Sequence, residues 1–213
     1  MHKVRKYLLG DFHQSQLAIL VALFFAMSGL GFALIKQSHY AFAGLIIATL
    51  IYKFSYRFIQ LYQPSDQEIA FTLELDVLVR FIANGLLPAV LILQVTQANS
   101  LGLLIAILYT MAVAIRIAYF NQGGDNHQDL YERYSVGLPI ETSAMLLPLI
   151  SLLGHVIGPV AFAVLFALVC LFLAGAYIVN FPIPRIPAQF ELGVMIVLLV
   201  LSFILIWVGP LPL

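Results

Sequence analysis

Charged side chains are scarce in this sequence. Asp, Glu, Lys and Arg together make up 9% of its 213 residues, whereas an ordinary soluble domain has about 25%. Because roughly a quarter to a third of a soluble surface is charged, this scarcity excludes soluble enzymes and disordered chains. The ten basic and ten acidic residues cancel to a formal net charge of zero, so no basic excess points to a nucleic-acid partner.

Cysteine is nearly absent as well. Cys170 is the only one in the chain and stands within an apolar run. A single cysteine cannot form an internal disulfide, and it cannot build a thiolate metal cluster. Redox chemistry based on paired thiols is therefore excluded.

Long apolar runs, by contrast, are abundant. Hydrophobic residues make up 62% of the chain, and seven stretches reach the length of about 20 residues that a helix needs to cross a membrane. Backbone polar groups within lipid must be satisfied internally, and these runs lack the alternation of barrel strands, so we predict helices. The predicted spans of this all-α integral membrane protein are 16–35, 40–60, 76–96, 100–119, 138–156, 158–179 and 190–209.

The segment before the first span, residues 1–15, has a different pattern. Apolar residues recur at helical spacing with basic residues between them, which is typical of an amphipathic helix lying on an anionic leaflet. A frayed basic tail is the alternative interpretation. The apolar positions are Val4, Tyr7, Leu8 and Phe12, and the basic positions are Lys3, Arg5 and Lys6.

Lys and Arg in the loops indicate the orientation, because cytoplasmic loops carry more of them. If the N-terminus is cytoplasmic, the outer set contains only Lys36. The loops at 61–75, 120–137 and 180–189 then face the cytoplasm, where we expect any chemistry or recognition to occur. The cytoplasmic basic residues are Lys3, Arg5, Lys6, Arg57, Arg116, Arg133 and Arg185.

Four segments carry a resemblance to a known family. The sequence reads ELDVLVRFIANGLLPA at 74–89, IRIAYFN at 115–121, GLPI at 137–140 and YIVNFP at 177–182. In this order and spacing they resemble parts of the third to sixth helices of bacterial phosphatidylserine synthases. These enzymes belong to the CDP-alcohol phosphatidyltransferase family, and the match extends over roughly residues 15–185.

The resemblance implies a fold and a chemistry. Family members have a six-helix membrane bundle, usually dimeric, that transfers the phosphatidyl group of CDP-diacylglycerol to an alcohol and releases CMP. It implies a six-span bundle over residues 16–180, with a linker and an appended seventh span at 181–213, in the bacterial inner membrane. The implied partners are phospholipid and a second subunit, either a copy of this chain or a related membrane protein.

The family's catalytic signature is largely missing from this chain. In the family, three aspartates hold divalent metals over the pyrophosphate, and a fourth is proposed to activate the attacking hydroxyl. With the Gly-x-x-Pro-Ala stretch in register, only the third position keeps its aspartate, and no Asp or Glu occurs between Phe12 and Ser65. We therefore expect no metal cofactor, and Mg²⁺ or Mn²⁺ only if a divergent active site exists. The four positions hold Ser55, Phe58, Asp76 and Arg80.

Positively charged residues lie in the segments where the family has its catalytic carboxylates. Lys53 and Arg57 share one face of the second span, and Arg80 follows Asp76 at the same four-residue spacing. With Arg116 they are candidate ligands for a phosphate or lipid headgroup. A structural ion-pair cluster and residual catalysis through Asp76 are the other interpretations. We expect a catalytically degenerate relative that binds phospholipid or a partner subunit; the alternative is an active phosphatidyltransferase with a divergent site.

Two other features have structural interpretations. The small residues of Ser28-Gly29-Leu30-Gly31 predict close helix packing rather than a nucleotide loop. Glu141 lies near the start of the fifth span, where a helix dipole favours a negative charge.

Overall fold

A computed structural model describes the backbone of residues 14–61, 66–121, 134–184 and 188–211. Within these ranges, side chains are described for 16–55, 68–121, 137–183, 190 and 192–211. The predicted interfacial helix lies outside the described residues, apart from 14 and 15, which belong to the first helix.

The described residues are almost all helical. A π-helical turn (Ile82–Leu86) joins α3 to α4 without a break, and a 3₁₀ turn (Ile140–Thr142) leads directly into α6. The strands β1 (Tyr134–Val136) and β2 (Pro182–Pro184) pair antiparallel. The helices are α1 (Gln14–Leu34), α2 (Ser38–Leu61), α3 (Asp66–Phe81), α4 (Leu87–Val95), α5 (Ser100–Asn121), α6 (Ser143–Leu153), α7 (Pro159–Ile178) and α8 (Ala188–Val208).

Proline and glycine set several helix ends. Pro159 occupies the first turn of α7, where its missing N–H is not needed and its fixed φ suits a helix. Gly209 follows α8 with a φ of 90°, the left-handed conformation that commonly terminates a helix.

Among the described residues, four helical segments are long enough and apolar enough to cross a membrane: Gln16–Leu34, Glu68–Val95, Ser100–Asn121 and Pro159–Ile178. Ile140–Leu153 and Leu192–Val208 are shorter apolar segments. The predicted all-α class and its membrane character are therefore confirmed, while the division into six spans plus one stays a prediction.

The core lies between α2, α4, α5, α6, α7 and α8, and α8 packs against α2 and α6. The last helix therefore lies directly on the bundle. Fully buried aromatic side chains fill the centre and meet edge to face, as with Phe42 and Phe166, whose centroids are 6.1 Å apart. The other large buried aromatics are Tyr109, Phe162 and Tyr177.

The turns gather at two ends, as alternating spans require. At the inner end, β1 pairs with β2 and the Gly137 amide donates to the Phe181 carbonyl at 2.6 Å. At the outer end, the Leu211 amide donates to the Ser38 hydroxyl at 3.0 Å. The charge bias predicts that the inner end faces the cytoplasm.

The prediction of a loop at 61–75 is wrong, because most of this segment is helical. Helix α3 begins at Asp66, ten residues before the predicted span at 76–96. Hydropathy marks where a helix enters lipid, whereas this helix continues beyond its apolar part.

Close packing of small residues occurs where α1 crosses α2. A Cβ added at Gly44 would lie 2.8 Å from the Gly29 Cα and 3.0 Å from the Phe25 carbonyl oxygen. These are backbone atoms, so the helices themselves would have to separate. The packing predicted for Ser28–Gly31 thus holds at Gly29, whereas a Cβ at Gly31 would meet nothing within 4 Å.

We expect Gly44→Ala to destabilise the protein by about 1–3 kcal/mol, the usual cost of overpacking. Gly31→Ala is the matched control, because the same added methyl enters open space; it should not destabilise the protein and should raise its stability by up to about 1 kcal/mol, since alanine suits a helix better than glycine. Thermal unfolding in detergent measures both. Equal melting temperatures for the two variants would contradict the close α1–α2 contact.

We also expect cysteines introduced at Ser100 and Asn180, both exposed and at opposite ends, to react with an impermeant maleimide from opposite sides of the membrane. The native Cys170 is buried and should give little background. Labelling of both positions from one side would contradict the alternation of spans.

Candidate functional site

A stripe of polar residues runs along α3 into the π turn at every fourth position. Its internal hydrogen bonds follow the same spacing: the Thr72 hydroxyl donates to the Glu68 carbonyl at 2.5 Å, and the Asn84 amide donates to the Arg80 carbonyl at 3.4 Å. In a span this apolar, five such residues in sequence are unusual, because intramembrane polar groups are costly. This polar stripe consists of Glu68, Thr72, Asp76, Arg80 and Asn84.

The centre of the stripe is an ion pair. Arg80 Nη2 lies 2.6 Å from Asp76 Oδ2, and the Asp76 residue is 8% exposed. The distance is that of a strong charge-assisted hydrogen bond. An ion pair between Asp76 and Arg80 is one of the interpretations that the sequence offers, and the structure contains it.

Tyr52 of α2 completes this centre, and sequence reasoning missed it. Its hydroxyl donates to Asp76 Oδ2 at 3.5 Å, and the Arg80 guanidinium carbon lies 4.7 Å from its ring centroid. An arginine over an aromatic face gains cation–π attraction. Two features of the sequence could have indicated Tyr52: it is adjacent to Lys53, and it lies one helical turn before Ser55, the position aligned with the family's first aspartate.

Glu141 is the second residue that sequence reasoning placed elsewhere. In the 3₁₀ turn before α6, it lies close enough to act electrostatically on Asp76, Arg80 and Tyr52. Among the described carboxylates Asp76 is paired with the Arg80 guanidinium, whereas Glu141 acts on it through electrostatics alone. Its proximity to a helix start was visible in the sequence, whereas its proximity to α3 was not.

The stripe ends at Asn84 within the π turn. Such turns leave backbone groups free for other partners, and the Asn84 carbonyl accepts from the Tyr109 hydroxyl at 3.0 Å. The Ser143 hydroxyl lies 3.2 Å from Asn84 Oδ1. The Tyr177 hydroxyl donates to the Ile140 carbonyl at 3.3 Å. This buried network connects α5, α6 and α7 to the end of the stripe.

The predicted cations do not all converge on Asp76. Lys53 is half-buried on α2, and among the described side chains it forms no ion pair with Asp76. Arg57 lies in α2, but its side chain is outside the described set. Arg116 is buried, with its guanidinium carbon 4.3 Å from the Phe120 ring centroid.

Arg116 instead packs against Gly137 at the inner end. A Cβ at Gly137 would lie 2.9 Å from Arg116 Nη1 and 2.9 Å from the Val179 carbonyl oxygen, and Gly137 has a φ of 65°. Only glycine satisfies both constraints without strain. A small cavity of about 90 Å³ beside Arg116 is bordered by Tyr177 and Asn180.

The described residues do not fit the metals that the resemblance implies. Of the four aligned positions only Asp76 has a carboxylate, and that carboxylate already forms an ion pair with Arg80. Among the described residues, no three His, Cys, Asp or Glu side chains come together. Divalent cations such as Mg²⁺ prefer several oxygen ligands, so no step through a metal is derived for this arrangement.

No protein-family model matches the chain, and no curated protein matches it significantly. The resemblance to the phosphatidyltransferases therefore rests on the four segments alone.

We expect Arg80→Asp to destabilise the protein by about 3–5 kcal/mol, because it leaves Asp76 buried without its partner and adds a like charge four residues away. Unfolding in detergent micelles gives the value. Tyr52→Phe removes only the 3.5 Å hydrogen bond and should cost about 1 kcal/mol or less. Wild-type stability for Arg80→Asp would show that the pair does not support the fold.

Proposed function

We propose that this chain is a phosphatidyltransferase-like membrane protein that binds an anionic phospholipid without transferring its phosphatidyl group. The observation that carries the proposal is the 2.6 Å pair between Arg80 and Asp76. It engages the one carboxylate that remains of the family's signature. The proposal includes the inner membrane as location and a dimer, with itself or with a related membrane protein, on the strength of the resemblance.

The four segments that carry the resemblance lie near one another in the structure. The segment 115–121 meets 137–140 where Arg116 contacts Gly137, and 137–140 meets 177–182 through the Gly137–Phe181 hydrogen bond. The segment 74–89 reaches them through Asn84 and Tyr109, whose ring is 6.0 Å from that of Tyr177. Segments far apart in sequence thus form one continuous set of contacts.

The electrostatics argue against phosphatidyl transfer. Metals promote such reactions by neutralising phosphate charge and by offering vacant coordination positions to the reacting oxygens. Arg80 supplies positive charge but no coordination positions. Arg80 is already paired with Asp76, so a bound phosphate would need another cation, and a lysine is suited to hold one.

Lys53 is the strongest described candidate for a headgroup contact. It is half-buried, adjacent to Tyr52, and no described carboxylate pairs with it. Arg57 follows four residues later on the same helical face. Lys53 lies in the span predicted at 40–60, where an ionisable residue is by default a functional candidate, and a lipid phosphate would supply its counter-charge.

Glu141 favours the alternative, an active phosphatidyltransferase with a divergent site. Its charge acts electrostatically on Arg80, which is paired with Asp76, so a second carboxylate lies within electrostatic reach of the site. Two carboxylates could serve as base and ligand if substrate binding displaced Arg80. An active phosphatidyltransferase of this kind would release CMP from CDP-diacylglycerol, and the release would depend on Glu141.

The test compares wild type with a Lys53→Gln, Arg57→Gln double variant. We expect wild type to copurify with anionic phospholipid in the absence of Mg²⁺ and Mn²⁺, and the double variant to bind it about 1–3 kcal/mol more weakly. Lipid mass spectrometry measures retention. CMP release is assayed with serine, glycerol phosphate or inositol phosphate, with and without metal, and we expect none.

The matched control is Arg133→Gln with Arg185→Gln, which removes two cations from predicted cytoplasmic loops. It should retain lipid as wild type does. Lipid retention by the Lys53, Arg57 variant equal to that of this control would refute the headgroup site. Metal-dependent CMP release by wild type that disappears in Glu141→Gln would establish the alternative instead.

A further inference from the structure

The span Glu68–Val95 contains a joint where α3 meets α4. Bends in helices occur at prolines and at π turns, and this joint has both: the π turn Ile82–Leu86 is followed by Pro88 near the start of α4. The Leu87 amide donates to the Ile82 carbonyl, which is five residues back instead of four. The span therefore consists of two helices joined by a turn of different geometry.

Pro88 accounts for a hydrogen bond from another helix to this joint. Proline has no N–H, so the carbonyl of Asn84, four residues earlier, cannot receive its α-helical hydrogen bond from Pro88. The Tyr109 hydroxyl of α5 donates to that carbonyl at 3.0 Å. Because the main-chain bond from Pro88 is missing, a change of angle at the joint breaks no backbone hydrogen bond at this position.

The two halves of the span are held by the bundle to different degrees. Six of the nine residues of α4 are buried, and its apolar side chains belong to the main core. Among the described side chains of α3, Val79 is the only buried apolar one, and it packs with Ile19 and Ala22 in a small cluster apart from that core. Segments with few buried apolar contacts open most easily, so α3 is the half that can move.

The polar contact between α2 and α3, which we call the seam, joins Tyr52 to Asp76 and Arg80. The hydrogen bond from the Tyr52 hydroxyl to Asp76 Oδ2 is long, at 3.5 Å, and the Arg80 guanidinium carbon lies 4.7 Å from the Tyr52 ring centroid. The Asp76–Arg80 pair lies within α3 and would move with it. Parting α3 from α2 at the seam thus breaks only the two contacts with Tyr52.

The closed seam leaves one donor unsatisfied. Among the described residues, Arg80 Nε is buried and finds no acceptor, although Nη2 of the same guanidinium is bonded to Asp76. A buried donor without a partner is costly. The Arg80 side chain as a whole is 24% exposed, so a small opening would bring water or an anion to Nε. Opening therefore relieves a cost that the closed seam carries.

We propose that α3 is a gate that swings about the π turn, parts from Tyr52 and opens the seam, so that a lipid phosphate held by Lys53 also reaches Arg80 Nε. The closed seam is then an autoinhibitory contact, and the Asp76–Arg80 pair stays intact throughout. The identity of the anion rests on the proposed function, whereas the motion is a property of the chain and is measured separately.

The motion is measured by pulsed electron paramagnetic resonance between spin labels on Leu73→Cys of α3 and Phe54→Cys of α2, both exposed. The protein is placed in phosphatidylcholine nanodiscs, with and without phosphatidylglycerol. A ligand that binds the open state better shifts the population toward it, so we expect phosphatidylglycerol to raise the longer-distance population about threefold or more. The outer pair Tyr40→Cys and Gln97→Cys is the control and should keep one distance. Cys170 is buried and should take up little label.

Variants of the joint test the motion without any anionic lipid. Tyr109→Phe removes the hydroxyl that holds the joint in the closed geometry, and it should raise the longer-distance population in phosphatidylcholine alone. Pro88→Ala restores a donor for the Asn84 carbonyl and should reduce that population. Pro148→Ala, which changes a proline inside α6, is the matched control and should leave both distances unchanged. Tyr109→Phe keeps the test decisive if Pro88→Ala fails to fold.

A cross-link tests whether lipid binding needs the opening. Ile51 of α2 and Leu75 of α3 both pack on the small cluster around Val79. Cysteines at these two positions, bridged by a reducible bifunctional thiosulfonate, should lower retention of phosphatidylglycerol in native mass spectrometry several-fold, and reduction should restore it. A monofunctional reagent on the same cysteines is the control and should leave retention close to that of the unmodified protein.

Three results would overturn the gate. The first is a Leu73–Phe54 distance that neither the joint variants nor the lipid change. The second is an equal change at the outer pair, which would indicate general loosening of the bundle. The third is equal lipid retention by the bridged and the reduced protein. If the joint variants shift the distance while wild type binds no phosphatidylglycerol, the proposed function fails and the motion is supported.

Discussion

A charge inside a membrane needs a counter-charge within reach, and the structure of this protein depends on meeting that need at Asp76. Helix α3 meets it internally, because a residue four positions along a helix lies beside its partner. Arg80 neutralises the carboxylate at 2.6 Å. Because the pair is buried, it must face the bundle, and this fixes the rotation of α3 about its axis. Tyr52 of α2 then contacts both members of the pair.

The spacing of the polar stripe explains how one helix contacts so many neighbours. Four residues exceed one helical turn of 3.6 residues by about 40°, so each member points further around the helix than the last. Thr72 accordingly accepts from Gln16 of α1, Asp76 from Tyr52 of α2, and Asn84 lies against Ser143 of α6. A stripe that followed the helical period would have faced a single neighbour.

The features that could be predicted from the sequence are those that depend on local composition. Apolar length predicted the helices, and Gly29 in its small-residue run predicted the close α1–α2 contact. The start of α3 at Asp66 was missed because hydropathy does not report helix outside lipid. Tyr52 and Glu141 were missed as members of the site because their role comes from contacts across 24 or more positions, as for Tyr52 and Asp76.

On the proposed function, the Asp76–Arg80 pair also explains how such a bundle could persist without metal. Several carboxylates facing one site repel one another unless cations bind between them. Replacing all but one by Ser55, Phe58 and Arg80 removes that repulsion and supplies an internal cation. The fold then no longer depends on metal occupancy, while Lys53 and Arg57 are left without carboxylates on their own helix. A binding site for anions is the chemistry that such an exchange leaves available.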